Sequence, residues 1–234
     1  DEKSTQALGA WPWPRDRMAQ LLTGLDAYGV NLKVVDVLFD GEQNAAQDAK
    51  LVEALQTQNS SQNTSQSNKA PTVISQLFAL SPEAQVKSGL LAGAMEAGAA
   101  STANASTPTA ANTACPVAST QAFGYMAAAP AFAQSSQAVG HITPVVDPDG
   151  NIRRVPAVVC FEGKAYPALA VAGLAAATGA QPVIKAAPGL MQSGQVLDVG
   201  GLQIPVDAKG QLRVSYQMPR AGFVSVSAVD VIQG

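Results

Sequence analysis

NLKVVDVLFD, residues 31–40, is nearly continuous in apolar side chains, broken only by Lys33 and Asp36. Such a run suits a strand covered on both faces, as in α/β sheets. Upstream, RDRMAQLLTGLDAYG (15–29) places Met18, Leu21, Leu22 and Leu25 on one helical face, with Gly29 where a helix C-cap belongs. Downstream, AAQDAKLVEALQTQ (45–58) reads as a second helix with Leu51, Val52 and Leu55 inward, and APTVISQLFAL (70–80) as a second strand. Alternation of this kind followed by hairpins defines an α/β fold: a mixed β-sheet with covering helices.

The hairpins occupy the second half. HITPVVDPDGNIRRVPAVVCFEGKAY (141–166) holds two strands joined by Asp147-Pro148-Asp149-Gly150, with proline second and glycine fourth as in a type I turn. Pro144 and Pro156 each remove a ladder donor, which predicts edge strands or bulges. YPALAVAGLAAATG (166–179) reads as a third helix, and residues 195–218 as short strands turning at Gly200-Gly201 and at Asp207–Gly210. SAVDVIQG (227–234) begins a last helix with Ser227 as N-cap and Asp230 as its third helical residue. A polar tract at 58–69 reads as a surface loop, 83–98 as a weak helix, and about 99–114 as a long low-complexity insertion.

Composition narrows the function. Charged residues are 13% of the 234, about half the usual share, and the net charge is −3. No basic field exists to hold phosphates, so a nucleic-acid partner is not expected. No run of 18 apolar residues occurs, and DEKSTQ does not open a signal peptide; the chain is expected to be a processed protein or a piece of a longer one. One histidine and two cysteines rule against a structural zinc site, and no metal or cofactor is implied. Cys115 and Cys160 suit one disulfide in an oxidising compartment or, equally, two buried thiols. No G-x-S-x-G elbow, G-x-x-x-x-G-K loop or G-x-G-x-x-G turn is present, so no enzymatic chemistry is nominated.

Six segments in order carry a family resemblance: WPWPR (11–15), VVDVLFD (34–40), GHITPVVDPDGNIRRVP (140–156), YPALA (166–170), IPVDAKG (204–210) and SAVDVI (227–232). Together they resemble the second type of CHASE domain, the cyclase- and histidine-kinase-associated extracytoplasmic sensory module of bacterial membrane receptors. The resemblance spans residues 1–234 as a single domain, apart from the polar loop and the low-complexity insertion. It implies a membrane helix before the WPWPR tract and a cytoplasmic output module beyond further membrane helices, such as a histidine kinase, a nucleotide or diguanylate cyclase, or a serine/threonine kinase. It also implies a periplasmic or extracellular location, tethering to the membrane and dimerisation. Family members usually continue past SAVDVI into another strand and a Gly-rich segment, whereas this chain stops at Gly234.

The expected role is therefore recognition of a small ligand or an envelope protein; the alternative is an envelope interaction or scaffold module without small-molecule sensing. Ligand-binding candidates are Asp40, at the carboxyl edge of the first strand, and Asp36 within that strand, with Arg15 and Arg153. A carboxylate inside an apolar strand needs a partner, and either arginine is a candidate to pair with Asp36. Arg153 and Arg154 are adjacent, so on a strand only one lines a given pocket. Trp13 is expected to wedge into the core beside the first helix. Asp147 with Gly150, and Asp207 with Gly210, read as turn chemistry rather than a calcium loop. His141 reads as a satisfied polar residue rather than a pH switch.

Overall fold

The computed structural model describes residues 1–56, 69–95, 115, 119–186, 195–217 and 219–234. Its first half comprises α1 (Glu2–Leu8), α2 (Arg15–Ala27), β1 (Lys33–Val35), α3 (Ala45–Leu55), β2 (Thr72–Ala79), β3 (Lys87–Ser88), β4 (Thr120–Gln121), β5 (Gly124–Met126), α4 (Pro130–Ser135) and β6 (Ala138–His141). The second half comprises β7 (Val145–Val146), β8 (Ile152–Pro156), β9 (Val158–Phe161), β10 (Lys164–Pro167), α5 (Leu169–Thr178), β11 (Val183–Ala186), β12 (Gln195–Val199), β13 (Leu202–Pro205), β14 (Gln211–Arg213) and α6 (Ala228–Gln233).

The fold is α/β with mixed sheets. Strand β2 is central: β1 and β6 flank it in parallel, Val34 opposite Val73 and Val139 opposite Ile74. Neighbouring side chains on a strand point to opposite faces. Val73 accordingly packs against Leu169 and Ala172 of α5, while Ile74 packs with Leu22, Leu51 and Phe132 from α2, α3 and α4. The sheet is thus covered on both sides at β2, whereas Val34 of β1, in the run expected to be covered, is 48% exposed. The α5 face is close: a Cβ on Gly140 would lie 2.5 Å from the Leu169 Cα, so only glycine lets the helix settle there.

The C-terminal end of β2 also pairs antiparallel with β5, which pairs in parallel with β3. Three further sheets follow the order β4–β9–β10, β7–β8–β14 and β11–β12–β13. Cys115 and Cys160 form a disulfide, their Cα atoms 5.6 Å apart, which fastens residue 115 to β9. The register shift between Val145 and Val146 supplies the irregularity expected near Pro144.

Several expectations need correcting. The first strand stops at Val35, and residues 36–40 run on without a sheet partner. The weak helix at 83–98 is absent from its described part, 83–95, which contains β3 and extended chain. Gly89 and Gly93 there have φ of 78° and 75°, and a Cβ on them would come within 2.1 Å of Ala127 O and 2.2 Å of Val139 O. Left-handed backbone pressed against another chain segment rules out a helix. Ser227 begins α6 but makes no side-chain cap. Residues 58–68 of the polar loop and the insertion at 99–114 lie outside the described residues.

Candidate functional site

Residues 36–40, beyond the carboxyl end of β1, form one wall of a cleft of about 570 Å³; the segment leading into α2 forms the other. Ligands of open α/β sheets bind at such strand ends. The cleft gathers Trp11, Trp13, Arg15, Asp36 and Asp40, three of them sequence-predicted ligand residues. Arg153, the fourth, lies elsewhere, in a groove with Arg213 and Tyr216.

Each wall has a local cause. Prolines 12 and 14 deny the chain a helix through the WPWP tract, and the Trp11–Pro12 peptide is cis. Trp13 wedges into the core beside Met18 and Leu22, 9% exposed, with its indole Nε1 donating to Gly9 O at 2.9 Å. Trp11, 52% exposed, meets it edge-on with ring centroids 5.5 Å apart. The opposite wall is held by Phe39, fully buried, whose carbonyl accepts the Ala129 N–H at 3.0 Å.

Arg15 is the first residue of α2 and only 5% exposed. Its guanidinium carbon sits 5.1 Å from the Phe39 ring centre and 5.5 Å from that of Phe132. Such cation–π placement suits the weakly hydrated guanidinium. Nη2 donates to the Asp40 backbone carbonyl at 2.9 Å, while the buried Nε has no partner. Burial pushes its pKa down, opposed by the charges of Asp40 and Asp48. Among the described residues no carboxylate lies within ion-pair distance of it.

Asp36 corrects the sequence reading. It is exposed on the cleft wall and forms no ion pair with Arg15 or Arg153. The buried charge of the strand is instead Lys33, whose Nζ donates to Asp26 Oδ1 and Oδ2 at 2.8 and 3.0 Å. Asp40 too is exposed; its backbone carbonyl accepts from Arg15, and its charge acts on the same guanidinium.

Arg153 is committed to its own hairpin. It donates to Asp147 Oδ2 and Asp149 Oδ1, both at 2.9 Å, and to Asp149 Oδ2 at 2.8 Å, holding the Asp149 carboxyl well below its usual range. The same contacts raise the pKa of Arg153. Its neighbour Arg154 reaches Asp147 and Asp207, so both arginines share Asp147. Gly150 N donates to Asp147 O, and Gly210 N to Asp207 O, closing both turns; among the described residues no acidic, cysteine or histidine group is arranged to hold a metal ion.

Sequence reasoning missed α1 and its contact with α6. Ser4, fully buried, accepts the Val229 N–H on its Oγ at 3.2 Å, and Lys3 pairs with Asp230. Helix α2 joins this pair to the cleft. Its first turn lines the cleft, and a Cβ at Gly24 farther along would meet Val231 O of α6 at 2.4 Å. No described helix is long and apolar enough to cross a membrane.

The family model for the CHASE2 domain matches residues 1–233. No curated protein and no solved structure matches. The chain therefore belongs to the CHASE2 domain family, the extracytoplasmic sensory domains of signalling receptors, a sensory rather than a catalytic class.

Proposed function

We propose that the chain is the ligand-receiving part of a bacterial transmembrane receptor, on the periplasmic or extracellular side of the inner membrane. The occupant of the Trp11–Asp40 cleft biases how α1 and α6 are held, and flanking membrane helices carry the change to a cytoplasmic output module. One observation supports this reading above the others: α2 has its first turn in the cleft and Gly24 against α6. A ligand shifts such an equilibrium only through unequal affinity for the two arrangements. Coupling is reciprocal, so moving α6 must disturb the cleft.

Gly24→Ala tests this without any ligand, because its methyl group displaces Val231. Hydrogen exchange confirms that α6 has moved, and iodide quenching of the chain's two tryptophans reads the cleft. Altered quenching supports the reading; displaced α6 with unchanged quenching overturns it.

A second reading, an envelope interaction module, is favoured by exposed apolar side chains at Tyr216, Phe223, Val224 and Val226, with Val224 97% exposed. Patches of that kind mark protein contacts. Replacing Phe223 and Val224 by serine abolishes partner capture under this second reading and leaves the cleft unaffected under the first.

A further inference from the structure

Among the described residues the charged groups of the cleft form no ion pair, although the charges of Asp40 and Asp48 act on Arg15. Arg15 is a buried cation that contacts a backbone carbonyl and two aromatic faces but, among the described residues, pairs with no carboxylate. Its Nε is buried without a partner. It also heads a 13-residue helix that no side chain caps, so the positive end of the helix dipole adds to its field. In the same cleft, Asp36 and Asp40 are exposed carboxylates with no ion pair among the described residues, Asp40 held beside Arg15 by its backbone carbonyl. Trp11, half of its surface free, lines the same cleft.

Buried charge calls for a direct partner, and a guanidinium and two carboxylates without an ion pair in one cleft suit a ligand carrying both charges. We propose that the cleft binds a short zwitterionic peptide. Its carboxylate lies at Arg15 and the head of α2, its ammonium at Asp36 and Asp40, and its apolar body on Trp11 and Trp13. The cleft's volume, about 570 Å³, lies in the range of small-ligand sites and suits a short peptide. This inference rests on the sensory reading of the same cleft and adds the ligand's chemistry.

The probe is tri-alanine, compared with N-acetyl-tri-alanine and tri-alanine amide, titrated against the whole chain. Both tryptophans line the cleft, so their emission reports binding there. Tri-alanine is expected to change emission saturably at millimolar concentration or below. Blocking either end should weaken binding about tenfold, the scale of one lost charge-assisted hydrogen bond. Asp36→Asn with Asp40→Asn, at two exposed positions, should erase the preference for a free ammonium and keep that for a free carboxylate. Arg15→Lys should weaken the carboxylate preference through loss of the planar fork.

Blocked peptides that bind as tightly as tri-alanine overturn the proposal, as does a double variant that still prefers the free ammonium. So does the lack of any saturable change with all three peptides. None of these results touches the sensory reading, which Gly24→Ala decides without a ligand.

Discussion

The Val229 amide donates to Ser4 Oγ, so the last helix of the chain is capped by the first rather than by its own Ser227. Ser4→Ala leaves that buried N–H without an acceptor. Loss of a cap costs about 1 kcal/mol, enough to lower the midpoint of a urea melt measurably. Hydrogen exchange at Val229 should accelerate before the rest of the fold opens. An unchanged rate there would mean that the two helices are held by other contacts.

Lys33 and Asp26 form the one buried ion pair among the described residues, and Asp26 Oδ1 also accepts the Ala70 N–H at 2.9 Å. Asp26→Asn strands an ammonium under α2 and should cost about 3–5 kcal/mol by urea denaturation. Lys33→Met combined with Asp26→Asn should cost less than Asp26→Asn alone, because no charge remains buried. Equal losses would show that the pair is not the reason for the cost.

His141 is 1% exposed, and burial lowers its pKa from 6.5 to about 3. Its Nδ1 accepts the Thr143 N–H at 3.3 Å, while Nε2 has no partner. Above pH 6.5 the imidazole is neutral in both states and stability is indifferent to it. Between that pH and about 3 only the unfolded chain takes up the proton, so stability falls as pH falls, by about 1.4 kcal/mol per unit. His141→Gln should flatten the difference in stability between pH 6 and pH 4 by that slope. Parallel curves for the two proteins would contradict the assignment.

The Cys115–Cys160 bond closes a separation of 45 residues, worth on the order of 4 kcal/mol if chain entropy dominates. Intact-mass measurement after alkylation should find no free thiol in the native protein, and reduction should lower its melting temperature. Complete labelling of both cysteines without reductant would contradict an oxidising compartment.

Much of this was legible where side-chain pattern alone decides the outcome. The eight residues of β2 are mostly buried, and residues 70–80 read correctly as a strand. Asp36 and Asp40 stand out as carboxylates in an apolar run, and Arg15 as a cation able to pair with one of them. Their grouping was not legible, since it depends on the chain leaving the sheet after Val35. Asp36 drew attention as the buried charge, yet Lys33 takes that role: nothing local reveals that Asp26, seven residues earlier, lies beneath it. Helix α1 escaped notice because EKSTQAL has no apolar face, and α6 supplies its support. Glycines 89 and 93 are visible signals against a helix at 83–98, set among alanines that favour one.

The most direct test of the receptor account is the size and location of the native polypeptide. An antibody raised against residues 1–234 is applied to fractionated cells. The account predicts a membrane-bound band far larger than the 23.8 kDa of this chain, carrying an output module. A soluble band near that mass would contradict it.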